Sequence, residues 1–311
     1  MSLNENADID TSQVEDQRGG GGGFGGGGFP IPIGGGGGRG GIIGLIITVI
    51  LVLAGGGVVG SQMLGDNGGQ SDNSDLNKAC STANPDRLKR VDCRNALYVN
   101  SIQNFWQGEL PQVFGQQYQP SDTVFFSQQT RTGCGAADSG VGPFYCPPDR
   151  KVYIDLTFYT ELTNRFGARG EFAQPYVLAH EYGHHVQDLL GTEAAMRRAQ
   201  QRDPDNENKY SVMLELQADC YSGVWAAHAT QTRDAKGQPI FTQVTAQNIQ
   251  DAVNAAGAVG DDTIQRKAGR TVNPDSFTHG SSAQRQQWFT QGYQTGDPKS
   301  CNTFGGALGS G

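Results

Sequence analysis

The segment His180-Glu181-Tyr182-Gly183-His184 sets two imidazoles and a carboxylate in the order H-E-x-x-H. On a helix, residues four apart share a face, so His180 and His184 can turn their rings toward one metal ion. Glu181 then stands beside the open position of that ion, as the base for an attacking water. Amide hydrolysis needs both parts: a metal that lowers the pKa of water, and a group that takes the proton. Glu215 is a candidate third ligand, in Glu215-Leu216-Gln217-Ala218-Asp219. Two histidines and one glutamate are a ligand set of catalytic zinc sites. Asp219 lies four residues beyond Glu215 and shares its face, suited to accept a hydrogen bond from the far ring nitrogen of a ligand histidine. The pattern predicts a Zn2+-dependent hydrolase acting on a peptide or protein substrate.

Those residues need helices to carry them. Pro175 fits a first helical turn, and Tyr176, Val177, Ala179, Val186, Leu189 and Leu190 continue the apolar pattern up to Gly191. A helix over Phe172–Leu190 is predicted. His185 lies about 100° round that helix from His184, so it faces elsewhere and is read as structural. Tyr210–Ala229 reads as a second helix carrying Glu215 and Asp219, Thr245–Val259 as a third, and Ala283–Gly292 as a short last one. His228, at the end of the second, is expected at the surface or in packing. Earlier, Asp86–Phe105 has helical spacing, and Pro111 is expected to end that region. Val124–Phe126 and Val152–Leu156 read as short strands. The fold class predicted is α+β, mostly helical with a small sheet. Substrates of zinc peptidases commonly pair with an edge strand above the metal, and Val152–Leu156 stands where that strand is expected.

The chain of 311 residues divides sharply by composition. Residues 1–41 are an acidic, polar stretch followed by a run of glycine, and are expected to be disordered because they offer little apolar surface to bury. Residues 42–64 are 23 residues without a charge. They are long enough to cross a bilayer and begin too far from the start to read as a cleaved signal peptide, so an uncleaved single-pass anchor is expected. Residues 65–78 read as a polar linker, 79–305 as the folded domain and 306–311 as a flexible end. All six cysteines, Cys80, Cys93, Cys134, Cys146, Cys220 and Cys301, follow the apolar run. An even count without metal-binding spacing argues for disulfides and an oxidising compartment, so the domain is placed outside the cytoplasm. Two short loops suggest Cys80 with Cys93 and Cys134 with Cys146, which leaves Cys220 with Cys301. The net charge of −8 and the lack of a basic patch argue against a nucleic-acid partner. Oligomeric state, natural substrate and cleavage preference are not legible.

Three motifs, His180-Glu-Tyr-Gly-His-His-Val-Gln187, Glu215-Leu-Gln-Ala-Asp-Cys220 and Ser276-Phe-Thr-His-Gly-Ser-Ser282, together resemble the bacterial neutral zinc metallopeptidase family of single-pass membrane proteins. Gly142-Pro-Phe-Tyr-Cys-Pro147 and Val152–Leu156 match as well, and the likeness covers nearly the whole chain. The resemblance implies a zincin fold, zinc held by His180, His184 and Glu215, and Glu181 as base. The chain is also similar to the wider thermolysin-type group, whose third ligand lies in an E-x-x-x-D on the next helix. Hydrolysis further needs a group to hold the oxyanion. His279 is the candidate, because Thr278-His279 followed by Arg285 is similar to an element that membrane-associated zinc proteases place at the active site. Two other classes stay open: a zinc-binding scaffold that cuts nothing, and a zinc hydrolase of cell-wall peptides. Glu181 speaks against the first, since a structural site closes its fourth position and has no use for a base.

Overall fold

The computed structural model describes residues 1–18 and 73–308. A four-stranded mixed sheet lies against the helices. Its strands run in the order β2 (Val14–Asp16), β3 (Thr123–Phe126), β7 (Lys151–Asp155), β6 (Phe144–Cys146). β2 and β7 are parallel to β3, and β6 runs antiparallel to β7. Two ribbons add to it: β1 (Ser2–Leu3) with β8 (Phe241–Gln243), and the hairpin β4 (Gln129–Thr132) with β5 (Gly135–Asp138). The strand residues Val124, Phe125, Val152 and Ile154 are wholly buried, as β-branched and aromatic residues in a covered sheet should be.

The helices are α1 (Ser74–Cys80), α2 (Val91–Phe114), α3 (Phe158–Asn164), α4 (Ala173–Leu189), α5 (Thr192–Arg202), α6 (Glu207–His228), α7 (Ala246–Ala258), α8 (Asp261–Lys267) and α9 (Ser282–Thr295). The fold is therefore α+β and largely helical. α2 does not stop at Pro111 but runs on to Phe114, where Gly115 caps it with φ of 70°. Proline displaces the bond to the carbonyl four residues back. That carbonyl belongs to Gln107, which like Gly108 is exposed, so water can satisfy it and the helix continues. α4 packs between α6 and the sheet, and α6 packs most extensively against α9.

The α6–α9 pair is close enough that glycine is required on both sides. A Cβ on Gly223 would lie 2.1 Å from Phe289 O, and one on Gly292 would lie 2.0 Å from Cys220 O. The six cysteines form three bridges, Cys80–Cys93, Cys134–Cys146 and Cys220–Cys301. The last ties α6 to the chain's end beyond α9.

Four further expectations need correction. β7 is not an edge strand, because β3 and β6 flank it; the edge near α4 is β6. Residues 1–18 are not a disordered tail: Ala7 and Val14 are buried, and β1 and β2 join sheets of the domain. Composition misses this because the segment buries few apolar groups and is held mostly by hydrogen bonds from side chains far along the chain. The expected linker also ends early, since α1 begins at Ser74 and Leu76 is buried. At the other end, Leu308 packs beside Phe304 rather than lying free. Among the described residues no helix is long and apolar enough to cross a membrane. The expected span over residues 42–64, and residues 19–41 of the expected tail, lie outside the described residues.

Candidate metal centre

α4 and α6 cross at Gly183 and Ala218. A Cβ on Gly183 would meet the Ala218 Cα and carbonyl oxygen at 3.0 Å. That approach brings His180 and His184, one turn apart on α4, up to Glu215 on α6. His180 Nε2 lies 3.1 Å from Glu215 Oε2, and His184 Nε2 lies 3.4 Å from Glu215 Oε1. One nitrogen of each histidine and one carboxylate oxygen all lie within 4.8 Å of one another. Ligands about 2.0–2.1 Å from a tetrahedral zinc ion are separated by roughly 3.3 Å. The two histidine–carboxylate separations are close to that spacing, and the donor set of two imidazoles and one carboxylate suits the ion.

The electrostatics agree. Burial works against a charged His180, but Asp219 and Glu215 outweigh it and raise its pKa to about 10. Burial likewise opposes charge on His184, and Glu215 overcomes it, again raising the pKa. Glu215 itself is buried, yet His184, His279 and His180 hold its carboxyl well below the usual range. The cluster is a place built for positive charge, which protons or a cation can supply.

The ring nitrogens that face away from Glu215 are also fixed. His180 Nδ1 donates to Asp219 Oδ1 at 2.9 Å. Asp219 is fully buried and also accepts from Tyr176 Oη at 2.7 Å and from Arg285 Nε at 2.7 Å. Burial would raise its pKa, but Arg285 and His180 keep it lowered. His184 Nδ1 donates to Gln187 Oε1 at 2.9 Å, and the Gln187 amide is aimed by the Leu214 carbonyl at 2.7 Å and by Gln217 Oε1 at 3.0 Å. Such partners fix tautomer and ring orientation at metal-bound histidines.

Glu181 is buried beside the three, and burial raises its pKa against the pull of His180 and His184. It lines a cavity of about 180 Å³ together with His180, His184, Glu215, His279 and Arg285. The apolar wall comes from Phe144 and Tyr145 of β6, Phe158, Val177, Met196 and Leu214. A second cavity, of about 350 Å³, adjoins it across Gly142 and Phe158 and is lined by Glu161, Arg165 and Lys267.

His279 reaches this cavity from the loop before α9. Asp261, at the start of α8, accepts from the backbone N–H groups of Thr278, His279 and Gly280 at 2.7–3.0 Å. Its other oxygen lies 3.3 Å from His279 Nδ1. The loop is thus hung on one carboxylate, which leaves His279 Nε2 as the free nitrogen of the ring.

His185 faces the opposite way. Its Nε2 donates to Gln119 O at 2.6 Å, and its Nδ1 lies 3.0 Å from Tyr145 Oη. His228 stacks on Phe105 with ring centroids 5.3 Å apart and is remote from the cluster. Sequence reasoning missed the hydrogen bonds that Tyr176, Gln187 and Asp261 make here. Gln187 had a legible signal, standing three residues after His184 on the same face. Tyr176, four residues before His180, had the same signal and was read only as part of the apolar pattern; Asp261 had none.

The chain matches, over residues 5–304, the family described as "Putative neutral zinc metallopeptidase". It belongs to that family. Among its relatives, the uncharacterized protein Rv2575 of Mycobacterium tuberculosis is 45% identical over 254 residues, which are 81% of this chain and 83% of the relative. The uncharacterized protein YpfJ of Escherichia coli K12 is 45% identical over 214 residues, 68% of this chain and 71% of the relative. No solved structure matches the chain.

Proposed function

We propose that this protein is a membrane-attached zinc endopeptidase of zincin type, with its catalytic domain outside the cytoplasm. The observation that carries the catalytic reading is the meeting of His180, His184 and Glu215 at the wall of a cavity that also holds Glu181. A zinc ion held by His180, His184 and Glu215 would lower the pKa of water and polarise a carbonyl. Glu181 takes the proton of the attacking water and passes it to the leaving amine, a role its burial-raised pKa suits. His279, with Nδ1 toward Asp261, offers Nε2 to the developing oxyanion. Asp219, held ionised by Arg285, keeps the His180 ring in one orientation.

The substrate backbone adds to the free edge of β6 (Phe144–Cys146), which lines the cavity on its sheet side. The Cys134–Cys146 bridge fixes the end of that strand to the β4–β5 hairpin. Attachment to the membrane rests on the uncharged residues 42–64, and the outer placement on three disulfides in one domain.

The test uses the full chain, because residues 1–18 are part of the fold. Zinc content is measured and a peptide library is offered to the wild type and to Glu181→Gln. Zinc in both and cleavage by the wild type alone is the expected result. A wild type that binds zinc and cuts no peptide would favour a binding role instead.

A further inference from the structure

Residues 1–18 and the domain that starts at Asn73 are joined by 54 residues, 19–72, that include the uncharged run 42–64. The two ends of that connection meet. Asn73 Oδ1 accepts from Asp16 N at 3.0 Å, and Asn73 Nδ2 donates to Val14 O at 2.6 Å. The chain leaves the fold and returns to it at one place.

The docking of residues 1–18 is not a loose contact. Val14, Glu15 and Asp16 pair in parallel with Thr123, Val124 and Phe125. Arg87 is buried, and its Nη2 donates to Glu5 O and Ala7 O at 2.5 and 2.7 Å. Asn100 exchanges two bonds with the backbone of Asp10, at 2.9 and 2.8 Å. Gln103 donates to Gln13 at 3.0 Å, and Arg18 donates to the buried Asp92 at 2.8 Å. Buried polar groups need partners. These groups of the domain have theirs in residues 1–18. Without that segment the Arg87 guanidinium and the Asn100 amide lose these acceptors.

A single crossing of a bilayer by residues 42–64 would put residues 1–18 and 73–308 on opposite faces. Hydrogen bonds of 3 Å cannot act through a hydrocarbon layer about 30 Å thick. Exchange of the segment between copies does not help, because every copy inserted the same way has it on the wrong face. We infer that residues 1–18 and the peptidase domain share one side of the membrane. The inference rests on the membrane attachment proposed above and replaces the single pass expected from the length of the apolar run. It also fixes where the membrane tether joins the enzyme: at the corner formed by Arg18 and Asn73.

The test labels the full-length protein in bacterial membranes with a membrane-impermeant maleimide. The six native cysteines are bridged, so single cysteines report cleanly. Asn6→Cys and Gln107→Cys place one probe in each part at exposed positions away from the cavity. Both should label in intact cells. Labelling of both only after permeabilisation still supports one shared side and overturns only the outer placement. Labelling of Gln107→Cys alone, with Asn6→Cys requiring permeabilisation, overturns the inference. Protein recovered in the soluble fraction overturns the membrane attachment on which it rests. A second readout is Val14→Asp, which puts a charge at a buried β2 position. It should lower the melting temperature of the domain in the membrane-bound protein; an unchanged melting temperature would show that β2 is not docked there.

Discussion

His184 and His185 are neighbours on α4 and live in opposite electrostatic worlds. His185 is buried and His184 half-buried, and desolvation disfavours charge on each. At His184 the carboxylate of Glu215 overrides that and raises the pKa. At His185 the partners are a backbone carbonyl and a phenol, and burial wins, so the pKa falls. One residue step, about 100° of helix, separates a place that holds a cation from a post that holds the sheet. The same holds for Glu181 and Tyr182. Glu181 faces the cavity, while Tyr182 donates to Ser121 O and meets Thr123 Oγ1, at 2.8 and 2.9 Å, on the sheet side. Chemistry and architecture alternate along one helix, and substitutions on the two faces should fail in different ways.

The largest contrast is in rate. Glu181→Gln keeps the shape and loses the proton acceptor, so turnover should fall by about 10²–10⁴-fold with zinc retained. Tyr182→Phe, the next residue, should leave kcat unchanged and cost about 1 kcal/mol of stability through its lost hydroxyl. Peptide turnover and thermal unfolding of the two variants check this. A large loss of turnover in Tyr182→Phe would break the division of α4 into two faces.

Next comes metal affinity. Glu215→Ala should lose most of the zinc. Asp219→Ala and Gln187→Ala each free one ligand ring, and should weaken zinc by roughly 10–100-fold. Competition with a chromogenic chelator measures all three. Unchanged affinity in Gln187→Ala would mean that His184 does not need its amide partner. Gly183→Ala tests the crossing itself. Its methyl must push Ala218 away by a few tenths of an ångström, which shifts Glu215 relative to both imidazoles. Zinc affinity should drop although no ligand is touched, whereas Gly108→Ala, with nothing near its Cβ and an ordinary helical φ, should leave it alone.

How much of this was legible depends on range. The helix over His180–His184 and the face that Glu215 shares with Asp219 follow from spacing within a few residues, and the strands Thr123–Phe126 and Lys151–Asp155 follow from short apolar runs. The edge position of β6 was hidden, because strand order depends on pairings that no local pattern records. Residues 1–18 were misread for a related reason. Their partners, Arg87, Asn100 and Asn73, lie far along the chain, and a segment held by side-chain hydrogen bonds looks in composition like a disordered one. The hold of Asp261 on its loop was not legible, because it acts on the backbone of residues 278–280, which any sequence could supply.

The smallest expected effect concerns the sheet-side face and its dependence on pH. An unfolded histidine titrates near pH 6.5, and His185 in the fold titrates below that because burial disfavours its charge. Between the two values the unfolded chain binds more protons than the folded one. The neutral imidazole therefore contributes nothing adverse above about pH 6.5, and stability is lost as pH falls through that value. The slope contributed by one such group is at most about 1.4 kcal/mol per pH unit. His185→Gln keeps an amide N–H for Gln119 O but cannot titrate. The wild type should thus lose stability relative to His185→Gln as pH is lowered from 7 toward 5, with the difference read from urea unfolding. Parallel curves for the two proteins over that range would show that the fold does not disfavour the charged His185, and the contrast with His184 would have to be abandoned.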